Sequence, residues 1–410
     1  MIHRKSNIAA FVSGYALPAV LVISVVILLL ILAVYSALSL DLRQYSVYHD
    51  AKQRREDMEA AIVLLCRDSC LCAYGEAAEV NPFKDRMAIG MRRYCWGLYD
   101  IAVMSDSAKD TLVVMLGKYR EHSAGAAFWL CDRNRALSLS AGASIAGIAY
   151  IPLSGINYTS VGSQYYDGEH LPDNLVRIAG KELPHIECSV SEYARRLCGR
   201  TAVLCPSGFL SSEYMSFRGS GVSSIVYGEL QDTLLGHVHV IGDVLEFSAQ
   251  AFVSDIIVSA RKVILKSGFH GRMQIFASDT VLVESGVSLE YPSGIYVDSG
   301  TSRPYVRLND GSKVSGYVVV TGECADLQLR YPSYVQEGRA GVEGLLYVNG
   351  SCELGGYISG AAYVRDCYSF SEGNIYAGTL YGIRMSRCDS LAFPVLLGGD
   401  YHRRQIKMLH

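Results

Sequence analysis

Three stretches of the chain decide its architecture: VIGDVLEFSAQA at residues 240–251, VSARKVILKSGF at 258–269 and FASDTVLVESGV at 276–287. They align without gaps at an offset of 18 residues. Small residues coincide at Gly242, Ala260 and Ser278. Apolar residues coincide at Leu245, Val263 and Val281, and again at Phe247, Leu265 and Val283. Gly268 and Gly286 coincide near the ends of the second and third copies. Apolar residues two apart place one face of a strand inward. One such strand cannot bury that face alone, whereas stacked copies make a continuous core. An 18-residue period therefore predicts turns of a right-handed parallel β-helix, a β-solenoid. Antiparallel sandwiches also alternate, but their strands recur every 8–12 residues.

A second pattern lies outside these copies. Residues 144–151 read SIAGIAYI, residues 312–319 read SKVSGYVV, and 352–358 give a looser copy, CELGGYI. Glycine in such a strand lets the chain turn a corner or approach a neighbour closely. This x-I-x-G-x-V-x-V style is similar to bactofilins and other short β-solenoids, and the resemblance implies a scaffold rather than a catalyst. The expected order is a first coil at 136–156, an irregular insertion at 157–235 with a helix near 189–197, the main solenoid at 236–368 and a C-terminal cap at 369–410.

Upstream, the sequence changes character twice. No charged residue lies between Lys5 and Asp41, and residues 20–34 read VLVISVVILLLILAV. About 20 apolar residues span the hydrocarbon layer of a bilayer. A cleaved signal sequence has a shorter apolar region, of about 7–15 residues. We therefore expect a retained single span at 15–40, preceded by a short basic leader at 1–14. Residues 41–73, free of Gly and Pro, continue as a helical neck. Residues 74–135 carry two strand-like segments, 96–104 and 111–119, that read as a hairpin packed on the neck.

The leader Arg4-Lys5, then Gly14-Tyr15-Ala16-Leu17 and a long apolar helix, resembles the N-terminus of type IV pilins and of minor pseudopilins of type II secretion. That resemblance implies cutting after Gly14, with Tyr15 as the new N-terminus and a mature helix that packs into a filament. Ala19 stands at the fifth mature position, where major pilins carry Glu, which implies a tip or accessory subunit. The competing reading is a plain anchor in which Gly14 has no special part. The order of elements also looks like envelope proteins of Bacteroidetes-type bacteria that pair a pilin-like N-terminus with a solenoid. Either way the partners expected are the lipid bilayer, through residues 16–40, and copies of itself or other pilin-like subunits. The expected location is the inner membrane, with the C-terminal domain outside the cytoplasm, because long C-terminal domains translocate largely regardless of charge.

Composition narrows the chemistry. With 37 Lys and Arg against 40 Asp and Glu, the chain has no basic footprint for nucleic acid. No G-x-S-x-G, H-E-x-x-H or phosphate-loop motif occurs. The columns that stacking would align, Glu246, Ile264 and Leu282 or Asp243, Arg261 and Asp279, hold no useful carboxylate pair. The expectation is a non-enzymatic protein without cofactor or metal. His237 and His239 share a strand face and read as a solvated pair. Cys66, Cys70 and Cys72 read as small core residues. Of the 12 cysteines, Cys188, Cys198 and Cys205 are the candidates for a disulfide within the insertion. Many of the 28 tyrosines, among them Tyr291, Tyr305, Tyr317, Tyr331, Tyr347 and Tyr357, could form an aromatic ladder for glycan or peptide.

Overall fold

The computed structural model describes residues 16–83, 86–107, 110–119, 125–199, 213–219, 222–225, 228–300, 303–322, 331–388, 390–397 and 402–409. The protein is mainly β, with one long N-terminal helix. It divides into two units, Met1–Ala60 and Ala61–His410.

The described part of the first unit is helix. It belongs to a single helix, Ala16–Arg67, and residues 16–50 are exposed throughout. As far as Leu40, Leu, Ile and Val surround the axis on every side, so residues 16–40 have no polar face to give to water. Its few hydroxyls are satisfied internally: Ser24, Ser36 and Ser39 each donate to a carbonyl one turn back, at 2.8–2.9 Å. One helix is thus long and apolar enough to cross a membrane.

In the second unit the helix ends with Ala61, Ile62 and Leu65 buried. Asp68 terminates it by accepting from the Cys70 amide at 2.9 Å and capping a 3-10 turn, and the chain then reverses at Gly75. An antiparallel sheet follows, of Ala77–Val80, Ile89–Trp96, Tyr99–Ser105 and Thr111–Tyr119 in sequence order. Its fifth strand is His402–Leu409, from the far end of the chain. Those C-terminal residues, expected to cap the last coil, instead pair with Thr111–Tyr119.

The remaining strands are almost all parallel; most form a sheet closed on itself, and Leu137–Ser140, Ile156–Tyr158 and Thr379–Tyr381 form a separate three-stranded sheet. Three long strands, Phe252–Leu265, His270–Val283 and Ser288–Ser299, pair in succession. The 18-residue alignment is the hydrogen-bonding register at Leu245, Val263 and Val281, and at Phe247, Leu265 and Val283. It slips at the small residues. Ala260 pairs with Ala277, not Ser278, because an irregularity between Ala260 and Lys262 absorbs one residue. One inward row runs Val240, Val258, Ile275, Ile295, Val318 and Leu346, every member buried in the same core.

The glycine pattern needs a similar adjustment. Gly316, Gly344 and Gly360 are register partners and share φ values of +140°, +127° and +152°. The bend in Tyr357–Ser371 is therefore at Gly360, not in the stretch 352–358 aligned above. Gly147 has the same bend, at φ +129°.

The order of the layers differs most from expectation. Ala126–Leu130 and Arg384–Ser386 together extend the last long strand, Tyr357–Ser371. Ser144–Ala146 and Ile148–Ile151 pair on the next level out, followed by Val176–Ile178. The segment read as a first coil thus lies at the C-terminal end of the layers. The chain then returns through the helix Cys188–Cys198, packed on Phe252–Leu265, His270–Val283 and Ser288–Ser299, before the layers begin at Glu213–Met215.

Candidate functional site

Outward residues next to the inward row make a second row: Ser259, Phe276, Tyr296, Val319, Tyr347 and Tyr363, continuing to Trp129 and Tyr150. Rings follow one another along it, with Phe276–Tyr296 centroids at 5.9 Å and Trp129–Tyr150 at 4.3 Å. This is an aromatic ladder, but most of it is covered. Phe276, Tyr296, Tyr347 and Tyr363 belong to a second buried cluster with Tyr317, residues of the antiparallel sheet and the helix Cys188–Cys198. Tyr317 and Tyr347 therefore do not face solvent as a ligand ladder would. Tyr291 is engaged too, donating to the Ala392 carbonyl at 3.0 Å.

A buried glutamine locks this seam. Gln274 accepts from the Leu98 amide at 2.8 Å and from the Tyr317 hydroxyl at 2.9 Å, and donates to the Trp96 carbonyl at 2.8 Å. It grips the turn between two strands of the antiparallel sheet. His237 lies in the same seam, against Trp96 and Phe217 with centroids at 4.6 and 5.0 Å. Burial lowers its pKa. His239 is buried, with Nε2 2.8 Å from Ser259 Oγ. The two histidines are thus packing residues of an interface, not a solvated pair.

The other sequence candidates separate clearly. Gly14, Tyr15 and Cys205 lie outside the described residues. Cys188 and Cys198 stand at opposite ends of one helix and are free thiols. Ten residues of helical rise, about 15 Å, exceed any disulfide span, so these two do not bridge. Cys66, Cys70 and Cys72 are also free, with only Cys72 fully buried. Asp243, Arg261 and Asp279 form a clip across three layers: Arg261 bonds Asp243 at 2.8 and 3.1 Å and approaches Asp279 at 3.7 Å. Lys266 likewise bridges Glu246 and Glu284, at 3.1 and 3.7 Å. These exposed pairs fix register and add little stability individually.

Two clefts remain. The first, of about 520 Å³, lies between the antiparallel sheet and the N-terminal end of the helix Cys188–Cys198. Its floor is a buried polar network. Arg403 donates from Nε to Asp100 at 2.6 Å, and Tyr74 donates to the other oxygen of Asp100 at 2.6 Å. Arg403 Nη2 also donates to the Tyr74 hydroxyl at 3.0 Å, and Arg93 lies 4.1 Å over the Tyr74 ring. Burial and Asp100 push the Tyr74 phenol far up, so it stays a proton donor. Burial pushes the neighbouring Cys95 thiol up to about 12, which leaves it unreactive as a nucleophile.

The second cleft, of about 490 Å³, lies on the outside of the parallel layers. Register sets it out: Arg307 pairs with Val335, Val335 with Glu353, and Glu353 with Tyr368. Their chain neighbours Leu308, Tyr334, Cys352 and Cys367 are buried inward, so this row faces outward. Beyond Tyr368 the strand runs into a hairpin, pairing Phe370 with Ile375, both exposed. Tyr305, Phe370 and Tyr381 line the cleft with Arg307, Glu337 and Glu353. Arg307 pairs with Glu337, Nε to Oε1 at 3.1 Å. Burial, chiefly, and the nearby Glu337 carboxylate raise the pKa of Glu353.

Sequence reasoning found neither cleft. Asp100 and Arg403 are 303 residues apart, and the only hint was an aspartate inside an otherwise apolar strand. Tyr305 and Tyr357 drew notice as tyrosines, but nothing in the linear order joins Tyr305 to Glu353 and Phe370. Among the described residues no group of three or more His, Cys, Asp or Glu could hold a metal ion. Comparison with protein-family models, with curated proteins and with solved structures found no match.

Proposed function

We propose that this protein is a non-enzymatic, single-pass membrane component of a bacterial cell envelope, an accessory pilin- or pseudopilin-like subunit that carries a right-handed parallel β-helix. The observation that carries the reading is the helix at residues 16–40. It is apolar on every side and wholly exposed, a surface that water does not tolerate and a bilayer or a bundle of like helices does. The 18-residue register of parallel strands supports the β-helix, because a sheet that closes with parallel neighbours one turn apart is what coiling produces. The helix would sit in the inner membrane with residues 61–410 outside the cytoplasm. Its partners would be lipid and the apolar helices of copies of itself or of other pilin-like subunits.

Mass spectrometry of the mature N-terminus of membrane-extracted protein tests this. A chain beginning at Tyr15, with an N-methyl group, is the expected result and establishes prepilin-type processing. A chain beginning at Met1 would leave a plain anchor and remove the pilin-like part of the proposal. A start beyond Leu40 would mean the apolar segment is a discarded signal, and would overturn the membrane reading as well.

A further inference from the structure

We propose that the outer cleft lined by Tyr305, Arg307, Glu337, Glu353, Phe370 and Tyr381 binds a neutral oligosaccharide. Three features converge there. Aromatic rings stand at the cleft, with Phe370 58% exposed on the hairpin that forms its wall. An exposed ring in a concave site is a surface for the apolar face of a flat, hydroxylated ligand. The polar groups between the rings are carboxylates and a guanidinium, which accept from and donate to hydroxyls. Glu353 is half-buried at the cleft, and a carboxylate accepts several hydrogen bonds, so it can serve a hydroxylated ligand as acceptor.

The scale also fits. Arg307, Val335, Glu353 and Tyr368 occupy four successive layers, the last of which reaches the cleft through Ser369 and Phe370. At about 4.8 Å per layer the row extends roughly 14 Å, enough for a short run of sugars. Charge selects among ligand classes. Two carboxylates against one guanidinium disfavour phosphorylated or nucleic-acid ligands. A cationic peptide is the alternative, but Glu337 is already held by Arg307, which leaves Glu353 as the one carboxylate for an ammonium, beside a guanidinium that repels further positive charge. This site is independent of how the N-terminus is processed, so its failure would leave the membrane role standing.

The test is titration calorimetry of the full-length, detergent-solubilised protein with tetrasaccharides of glucose, xylose, mannose and N-acetylglucosamine, alongside an oligolysine peptide. Saturable binding of at least one tetrasaccharide is expected. Phe370→Ala and Glu353→Gln should each weaken it about tenfold, for loss of a ring contact and of a charged acceptor. Thermal melts of both variants confirm that folding is retained, and Tyr305→Phe should weaken binding less. No saturable sugar binding, equal affinity in wild type and both variants, or preference for oligolysine would each overturn the proposal.

Discussion

At the scale of single residues, the glycines of the bent row carry the strictest requirement. A Cβ on Gly344 would stand 2.0 Å from the Gly316 carbonyl oxygen, and its φ of +127° disfavours any L side chain. Backbone lies on the other side of the contact, so no rotamer change relieves it. Gly344→Ala should therefore lower stability by about 3 kcal/mol or more, read as a fall in the urea midpoint. Gly373, at φ +80° in the hairpin turn, has nothing within 4 Å of a Cβ. Gly373→Asn should cost less than about 1 kcal/mol, since Asn tolerates the left-handed region. Similar losses at both positions would contradict the close approach of the layers.

At the scale of elements, the C-terminal strand joins the antiparallel sheet by backbone pairing and by one buried ion pair. Asp100 and Arg403 have side chains 1% and 4% exposed, and they meet across the intervening strand Thr111–Tyr119. Arg403→Met leaves Asp100 buried without its guanidinium and should destabilise by about 3–5 kcal/mol. The double variant Asp100→Asn, Arg403→Met should recover much of that loss, because the desolvated charge is gone. Equilibrium unfolding of the two variants measures both effects; a double variant as unstable as the single one would show that packing, not charge, is what Arg403 supplies. Two basic side chains of the C-terminal strand are thereby engaged: Arg403 is buried in this pair, and Lys407 bonds Asp255 on the parallel layers.

At the scale of the whole molecule, residues 61–410 form one unit held by pairings between distant parts of the chain. Arg384–Ser386 carries the parallel sheet from Tyr357–Ser371 to Ser144–Ala146, and His402–Leu409 completes the antiparallel sheet. Neither sheet has its full set of neighbours until the last residues are in place, and contacts of such sequence separation make folding slow. Removal of residues 374–410 should accordingly abolish cooperative unfolding of the second unit, followed by circular dichroism, and expose the edge of Thr111–Tyr119 to aggregation. A truncated chain with an unchanged transition would show that the parallel layers close without the C-terminal segments.

The sequence alone determined what is local and periodic. The stretch 20–34, apolar except for Ser24, dictates a helix that cannot face water, and an 18-residue recurrence of Leu245, Val263 and Val281 dictates stacked parallel strands, because both follow from backbone geometry and burial. What it left undetermined is everything set by which surface covers which. Tyr317 and Tyr347 read in the sequence as members of a ligand ladder, and only the placement of the antiparallel sheet and the helix Cys188–Cys198 over them makes them part of a buried seam. Asp100 acquires Arg403, and Tyr305 acquires Glu353 and Phe370, through pairings hundreds or tens of residues long that leave no period in the sequence. Periodicity reports which face of a strand is apolar; tertiary structure alone decides which apolar face is covered and by what.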